Sequence, residues 1–191
     1  MANAQWITLT VAGNSRAPVT INDMSIVRYC GKPLTGGTLL YSPTSGAGPF
    51  SVSQIYFNLD NINSIGQYFP APGVANMSAG GNFFAKEVVT LKYHEPQTLG
   101  IYVTTSKQYC QFTFKLNIAT TNGPVAMHVT NNGHPFSLTS DGEDEHSGVP
   151  FRSYALVYAG GFADLQHGGR FMRVNPITYR GTGNPALFPP R

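Results

Sequence analysis

The feature that most constrains the fold is a strict alternation of apolar and polar side chains between residues 110 and 118. One set is apolar and the intervening set is polar: Cys110, Phe112, Phe114, Leu116 and Ile118 against Gln111, Thr113, Lys115 and Asn117. A period of two places these sets on opposite faces of a β-strand. A turn follows at Asn122-Gly123, and the apolar alternation resumes at Val125, Met127 and Val129. The pattern predicts a β-hairpin with one face in a core.

The rest of the chain repeats short runs of this kind between turns rich in Gly, Pro and Asn. Ile7–Val11 alternates cleanly, and further strands are predicted at 18–29, 38–41, 50–59, 83–93, 99–104, 154–158 and 171–174. Residues 60–82 show no period and are expected to form a long loop. Only 11% of the 191 residues are charged, against about 25% in a typical domain, and no amphipathic helix pattern occurs.

These observations predict a single all-β domain over residues 1–180, with an extended Pro-rich tail over 181–191. Many short strands without helices are typical of an antiparallel β-sandwich of the jelly-roll or Greek-key type. The formal charge is only +3 and shows no Lys/Arg stripe, so no nucleic-acid partner is predicted.

The amino terminus shows no basic and apolar leader pattern. We therefore expect synthesis in the cytoplasm without a signal peptide, with a leaderless route as one means of release. The two cysteines, Cys30 and Cys110, leave two readings open. They could pair, but the position of Cys110 on an apolar face favours a buried, inert thiol.

No nucleophile, phosphate-binding or zinc motif is found in the sequence. We therefore predict no enzyme active site and no cofactor. The one local candidate for a metal site is the acidic run at 141–145, because Ca²⁺ prefers carboxylate oxygens; a solvated loop is the alternative reading. Its acidic side chains are Asp141, Glu143, Asp144 and Glu145. The histidines form no metal-binding pair and are expected at the surface: His94, His128, His134, His146 and His167.

Aromatic residues in irregular segments are candidates for binding. Trp6 is the only tryptophan, and Tyr68 and Phe69 lie within the unpatterned stretch. Aromatic side chains exposed in loops suit contact with lipid headgroups or sugar faces. Packing in the core is the alternative.

The amino-terminal residues carry a further pattern: Ala4-Gln5-Trp6, the strand at 7–11, Val19-Thr20-Ile21-Asn22, and Gly31-Lys32. This stretch of about 32 residues resembles the start of the aegerolysin family of small β-sandwich proteins. Tyr29-Cys30 stands where that family has a tryptophan before Gly-Lys. The resemblance implies a leaderless protein that docks on membrane lipids, often with a larger pore-forming partner, through Trp6 and Tyr29.

Three functional hypotheses stay open from the sequence. The leading one is non-enzymatic binding of a membrane lipid or a protein partner, as a toxin or a component of a pore-forming system. Its predicted contacts are Trp6, Tyr29, Tyr68 and Phe69. The second is a structural subunit that forms homo-oligomers, such as a jelly roll of a capsid, tail or coat. The third is a carbohydrate-binding module.

Overall fold

Strands dominate the regular structure of the chain, as the alternating sequence predicts. The computed structural model describes residues 3–41, 53–62, 65–69, 80–140, 151–161 and 170–179. Within them lie twelve strands and a single 3₁₀ turn at Phe83–Ala85. The strands are β1 (Ala4–Ala12), β2 (Val19–Gly31), β3 (Thr38–Tyr41), β4 (Ser53–Asn58), β5 (Gln67–Tyr68), β6 (Val89–Leu91), β7 (Pro96–Thr104), β8 (Tyr109–Thr120), β9 (Gly123–Val129), β10 (Phe136–Thr139), β11 (Leu156–Ala159) and β12 (Met172–Val174).

The first sheet has four strands in the order β1-β7-β4-β5. Strand β1 runs antiparallel to β7 in unbroken register from Ala4↔Thr104 to Ala12↔Pro96. Strand β4 runs parallel to β7, and β5 closes the sheet antiparallel to β4. Pro96 opens β7 at the end of the ladder, a position where a residue without an N–H is tolerated.

The second sheet is organised around β8, which pairs with β2 along one edge. Its other edge pairs with β10 near the start and with β9 near the end, while β6 extends β2 on the far side. The predicted hairpin is confirmed in its pairing, since β8 and β9 meet across Thr120↔Gly123. Its apolar face lies in the core only along β8, because Val125 and Met127 on β9 are 52% and 49% exposed. Gly123 has a φ of +106°, a conformation that glycine adopts without steric cost.

The two sheets pack face to face and bury a common core between them. Inward-facing residues of the first sheet include Ile55, Ile101 and Val103, all with no exposed surface. The second sheet contributes the apolar set of β8, and the ring centroids of Phe57 and Phe114 lie 5.7 Å apart across the interface. The chain is therefore all-β with packed sheets. The jelly-roll or Greek-key type and the domain bounds stay predictions.

A third sheet carries a smaller core of its own. Strand β11 pairs parallel with β3 and antiparallel with β12. Behind this sheet lie the buried side chains Phe151, Tyr154, Val157, Ala159, Val174 and Tyr179, with Leu39 and Tyr41 packed against them. The predicted tail at 181–191 lies outside the described residues.

A carboxylate joins the end of β4 to the loop between β7 and β8. Asp60 accepts hydrogen bonds from the Thr105 hydroxyl at 2.9 Å and from the Ser106 backbone N–H and hydroxyl at 2.7 and 2.8 Å. Burial alone would raise the pKa of Asp60, but these hydrogen bonds outweigh it and hold the pKa below its ordinary value.

Several predictions of local structure were wrong. The strand expected at 83–93 begins instead as the 3₁₀ turn, where the Asn82 side chain accepts the Phe84 N–H, and only Val89–Leu91 is extended. Strand β10 was not predicted, and β5 interrupts the expected loop at 60–82. Cys110 is not a free thiol, because it forms a disulfide with Cys30.

Candidate binding face

Four aromatic side chains gather on the outer face of the first sheet. Trp6 on β1 is the register partner of Tyr102 on β7, and Tyr56 on β4 is the partner of Tyr102 on the other side of β7. The three therefore form one row across three neighbouring strands. They share a face because each lies between inward-facing residues of its own strand, as Tyr102 does between Ile101 and Val103.

The fourth ring, Phe69, comes from the chain that leaves β5. Its centroid lies 4.9 Å from that of Tyr102, 5.6 Å from Trp6 and 5.8 Å from Tyr56. Phe69 therefore contacts every member of the row. Trp6 and Tyr102 are the closest pair of rings, with 4.5 Å between their centroids and 34° between their planes.

The four side chains, called the aromatic face below, differ in exposure. Trp6 keeps 42% of its surface exposed, while Tyr56, Tyr102 and Phe69 are half-buried by one another. Ring pairs at these separations contribute about 0.5–1.5 kcal/mol each beyond the area that they bury. The cluster is thus held in place by its own packing, with the indole of Trp6 as its most accessible ring.

Neutral polar groups surround the aromatic face. The Tyr56 hydroxyl lies 2.9 Å from the Thr104 hydroxyl, and the hydroxyls of Thr10 and Thr98 lie 3.4 Å apart along the same face. Outward-facing positions of the described sheet carry no charged side chain: Trp6, Thr8, Thr10, Ala12, Tyr56, Asn58, Gln67, Thr98, Gly100, Tyr102 and Thr104. The face therefore offers rings, hydroxyls and amides.

Gly100 lies in the interior of β7, directly opposite Thr8 and two residues before Tyr102. A glycine inside a strand weakens the strand, and it often marks a place where a ligand approaches the backbone closely. Gly100 is itself buried, so this position is already covered and offers no opening in the face.

The predicted binding residues do not all meet. Trp6 and Phe69 come together in the aromatic face. Tyr29 is 78% exposed on the outer face of the second sheet, opposite Gln111. The structure thus separates Tyr29 from Trp6.

Tyr68 is adjacent to Phe69 in sequence but points the opposite way. It packs on Phe83 with 5.0 Å between ring centroids and donates a 2.7 Å hydrogen bond to Glu87. This bond to a carboxylate raises the pKa of Tyr68 above its ordinary value. Tyr68 and Phe69 therefore do not lie on one surface, because neighbouring residues of an extended chain face opposite sides.

Two members of the aromatic face, Tyr56 and Tyr102, were not predicted as site residues. The sequence does hold a signal for them. Each stands between two apolar residues, in Ile55-Tyr56-Phe57 and Ile101-Tyr102-Val103, so each is a large ring at an outward-facing position. That they meet depends on the parallel register of β4 and β7, which no local pattern gives.

The metal candidates Asp141, Glu143, Asp144 and Glu145 lie outside the described residues. Within the described ranges, no group of three or more His, Cys, Asp or Glu side chains converges to hold a metal ion. His94, His128 and His134 are exposed, which confirms the prediction for these three, and His146 and His167 lie outside the described part of the chain.

Comparisons with protein families, with curated proteins and with solved structures gave no match to this chain. The aegerolysin resemblance therefore stays a prediction. In the described ranges, no helix has the length and apolar character needed to cross a membrane.

Proposed function

We propose that this protein is a non-enzymatic binding protein whose ligand docks on the aromatic face. The observation that carries the proposal is the cluster of Trp6, Tyr56, Phe69 and Tyr102 on the outer face of the sheet, with residue Trp6 42% exposed. Exposed aromatic groups in a defined arrangement are the usual anchors of binding surfaces, because they combine large contact area with little conformational freedom to lose.

The chemistry of this face suits binding better than catalysis. Its outward-facing strand positions supply hydroxyl, amide and aromatic groups but no carboxylate, imidazole or thiol. General acid–base and nucleophilic catalysis need a group of tunable pKa held against a partner. Rings and neutral hydrogen-bonding groups instead provide contact area and orientation for a ligand.

The disulfide between Cys30 and Cys110 supports a place of action in an oxidising compartment. Such bonds persist mainly in secreted and extracellular proteins. We therefore propose that the ligand is met outside the reducing cytosol, whatever route brings the protein there.

The single tryptophan makes this proposal directly testable, since all tryptophan fluorescence comes from the proposed site. Purified protein is titrated with soluble polysaccharides and with phospholipid vesicles, and the emission of Trp6 is followed. We expect saturable change with one of these probes, and co-sedimentation or gel retardation by the same probe.

The control compares Trp6→Ala with Tyr29→Ala, which removes a still more exposed ring, 78% against 42%, from the other sheet. Trp6→Ala should lose retention by the probe, and Tyr29→Ala should keep it. Retention that survives in Trp6→Ala would place the binding surface elsewhere and overturn the proposal, as would the absence of any bound probe.

A further inference from the structure

We infer that the ligand of the aromatic face is a neutral polysaccharide. The inference rests on the proposed function and adds the chemical class of what is bound. Three properties of the face lead to it: its exposed ring, its hydroxyl-rich surroundings and its lack of charge.

The exposed ring matches the apolar side of a sugar. One side of the Trp6 indole lies against Tyr102, with the two ring centroids 4.5 Å apart, and 42% of the residue's surface is open. Pyranose rings carry their C–H groups on flat faces, and these pack against the electron-rich face of an aromatic ring. Trp6 offers such a platform without rearrangement of the sheet.

The hydroxyl groups favour a sugar over a lipid. Thr8 is exposed on β1 two residues from Trp6, Thr10 is exposed further along the same strand, and the Thr104 hydroxyl lies 2.9 Å from that of Tyr56. Sugar hydroxyls can exchange hydrogen bonds with these groups in water. Insertion into a lipid interface would instead remove several hydroxyls from water, and each unsatisfied one costs at least about 1 kcal/mol.

The charge pattern excludes two further ligand types. Attraction to anionic lipids depends on Lys and Arg near the membrane surface. The outward-facing strand positions of the first sheet carry neither residue, nor any acid that would attract a cation. The face therefore complements a ligand without charge, and acidic glycans and anionic phospholipids gain nothing from it.

The packing of the row places the contact with a sugar ring at its Trp6 end. Trp6, Tyr102 and Tyr56 lie on three successive strands. The Phe69 ring lies within 5.8 Å, centroid to centroid, of all three and half-buries Tyr56 and Tyr102, so Trp6 is the ring open for stacking.

Affinity gel electrophoresis tests the inference with named probes. The neutral polysaccharides are hydroxyethyl cellulose, galactomannan and yeast mannan, and the acidic one is alginate. We expect at least one neutral polymer to retard the protein and alginate to leave it unaffected. Trp6→Ala should weaken the binding at least ten-fold, which corresponds to about 1.4 kcal/mol. Tyr29→Ala should bind as the wild type does.

A second variant separates hydrogen bonding from loss of the fold. Thr8→Val keeps the shape of an exposed strand residue while it removes the hydroxyl. We expect several-fold weaker binding to the polysaccharide with an unchanged unfolding curve. Unchanged affinity in Thr8→Val and Trp6→Ala together would overturn the inference.

Phospholipid vesicles distinguish the failure of this inference from failure of the proposed function. Vesicles of phosphatidylcholine, with and without phosphatidylserine, are tested by co-sedimentation and by the emission of Trp6. One outcome overturns the glycan assignment but supports the binding face. In it, vesicles shift the emission of Trp6 to the blue, Trp6→Ala no longer co-sediments with the vesicles, and no polysaccharide binds. No Trp6-dependent binding to any probe overturns both.

Discussion

The sulfur atoms of Cys30 and Cys110 are bonded to each other, and the two residues are direct partners in the register of β2 and β8. The bond joins positions 80 residues apart in sequence. It lies between the two longest strands of the second sheet, and Cys110 has no exposed surface. The disulfide thus closes the segment that contains β3 to β7, including most of the first sheet.

Loss of this disulfide should destabilise the protein markedly. A cross-link over a long segment restricts the unfolded chain, and removal of such a bond typically costs about 2–4 kcal/mol. We expect the free energy of unfolding of the double variant Cys30→Ala/Cys110→Ala to be lower by this amount, so that it unfolds at a lower urea concentration. The measurement is equilibrium unfolding with and without a reducing agent. The reducing agent should lower the free energy of unfolding of the wild type and leave that of the double variant unchanged. If the wild type unfolded and refolded with the same free energy in reductant, the disulfide would be contradicted.

The fold class follows from local patterns, because alternation reports which side chains face a core. The hairpin at 110–129 is found where its period of two predicts it. Strand β10 escaped prediction because Phe136–Thr139 is too short to show a period, and its pairing with Tyr109–Phe112 is set by tertiary contacts. The 3₁₀ turn at Phe83–Ala85 is stabilised by the Asn82 side chain. It was predicted as a strand because its apolar residues are of the types that are common in strands.

Two of the four residues of the aromatic face could be predicted from the sequence. Trp6 and Phe69 were recognised by residue type, but their meeting depends on the Phe69 ring lying against the outer face of the sheet, in contact with Tyr102 as well. Tyr56 and Tyr102 join them only because β4 and β7 pair in parallel. Such pairings between segments distant in sequence are decided by the packing of the whole core, so single-strand patterns do not contain them.

Two residues on the same face of the β8–β9 hairpin should respond very differently to truncation. Phe114 is fully buried between the sheets, whereas Met127 keeps 49% of its surface exposed. Phe114→Ala should lower the free energy of unfolding by about 3–5 kcal/mol, since it leaves a cavity in a close-packed core. Met127→Ala should cost less than about 1 kcal/mol. Urea unfolding of both variants checks this, and equal losses would show that β9 is covered as fully as β8.

The carboxylate of Asp60 should make stability depend on pH in the acid range. Its pKa in the folded protein is held below the ordinary value of 3.8. A lowered pKa means that the stabilisation is fully present above the unfolded-state pKa and is lost as pH falls through the folded-state pKa. Asp60→Asn should therefore cost about 1 kcal/mol at pH 7, and the difference from wild type should shrink at pH 3 and below.

Glu95→Gln is the matched control for Asp60→Asn. Glu95 is an exposed carboxylate whose single ion pair, to Lys92 at 3.6 Å, is also exposed. Surface pairs of this kind contribute little, so its replacement should change the free energy of unfolding by less than about 0.5 kcal/mol at both pH values. If Asp60→Asn also left the free energy of unfolding unchanged at pH 7, the hydrogen bonds that Asp60 accepts from Thr105 and Ser106 would not stabilise the fold.

Gly160 should be indispensable for the third sheet. It follows β11, donates its N–H to the Tyr41 carbonyl at 3.1 Å, and approaches the chain before β12 so closely that an added Cβ would collide with the Arg170 carbonyl oxygen. Gly160→Ala must therefore separate β11 from β12. We expect faster hydrogen exchange in both strands, with protection of β8 retained. Gly37→Ala is the control, because a Cβ there meets nothing within 4 Å. Loss of protection in β8 as well would show that the small core and the sandwich unfold as one unit.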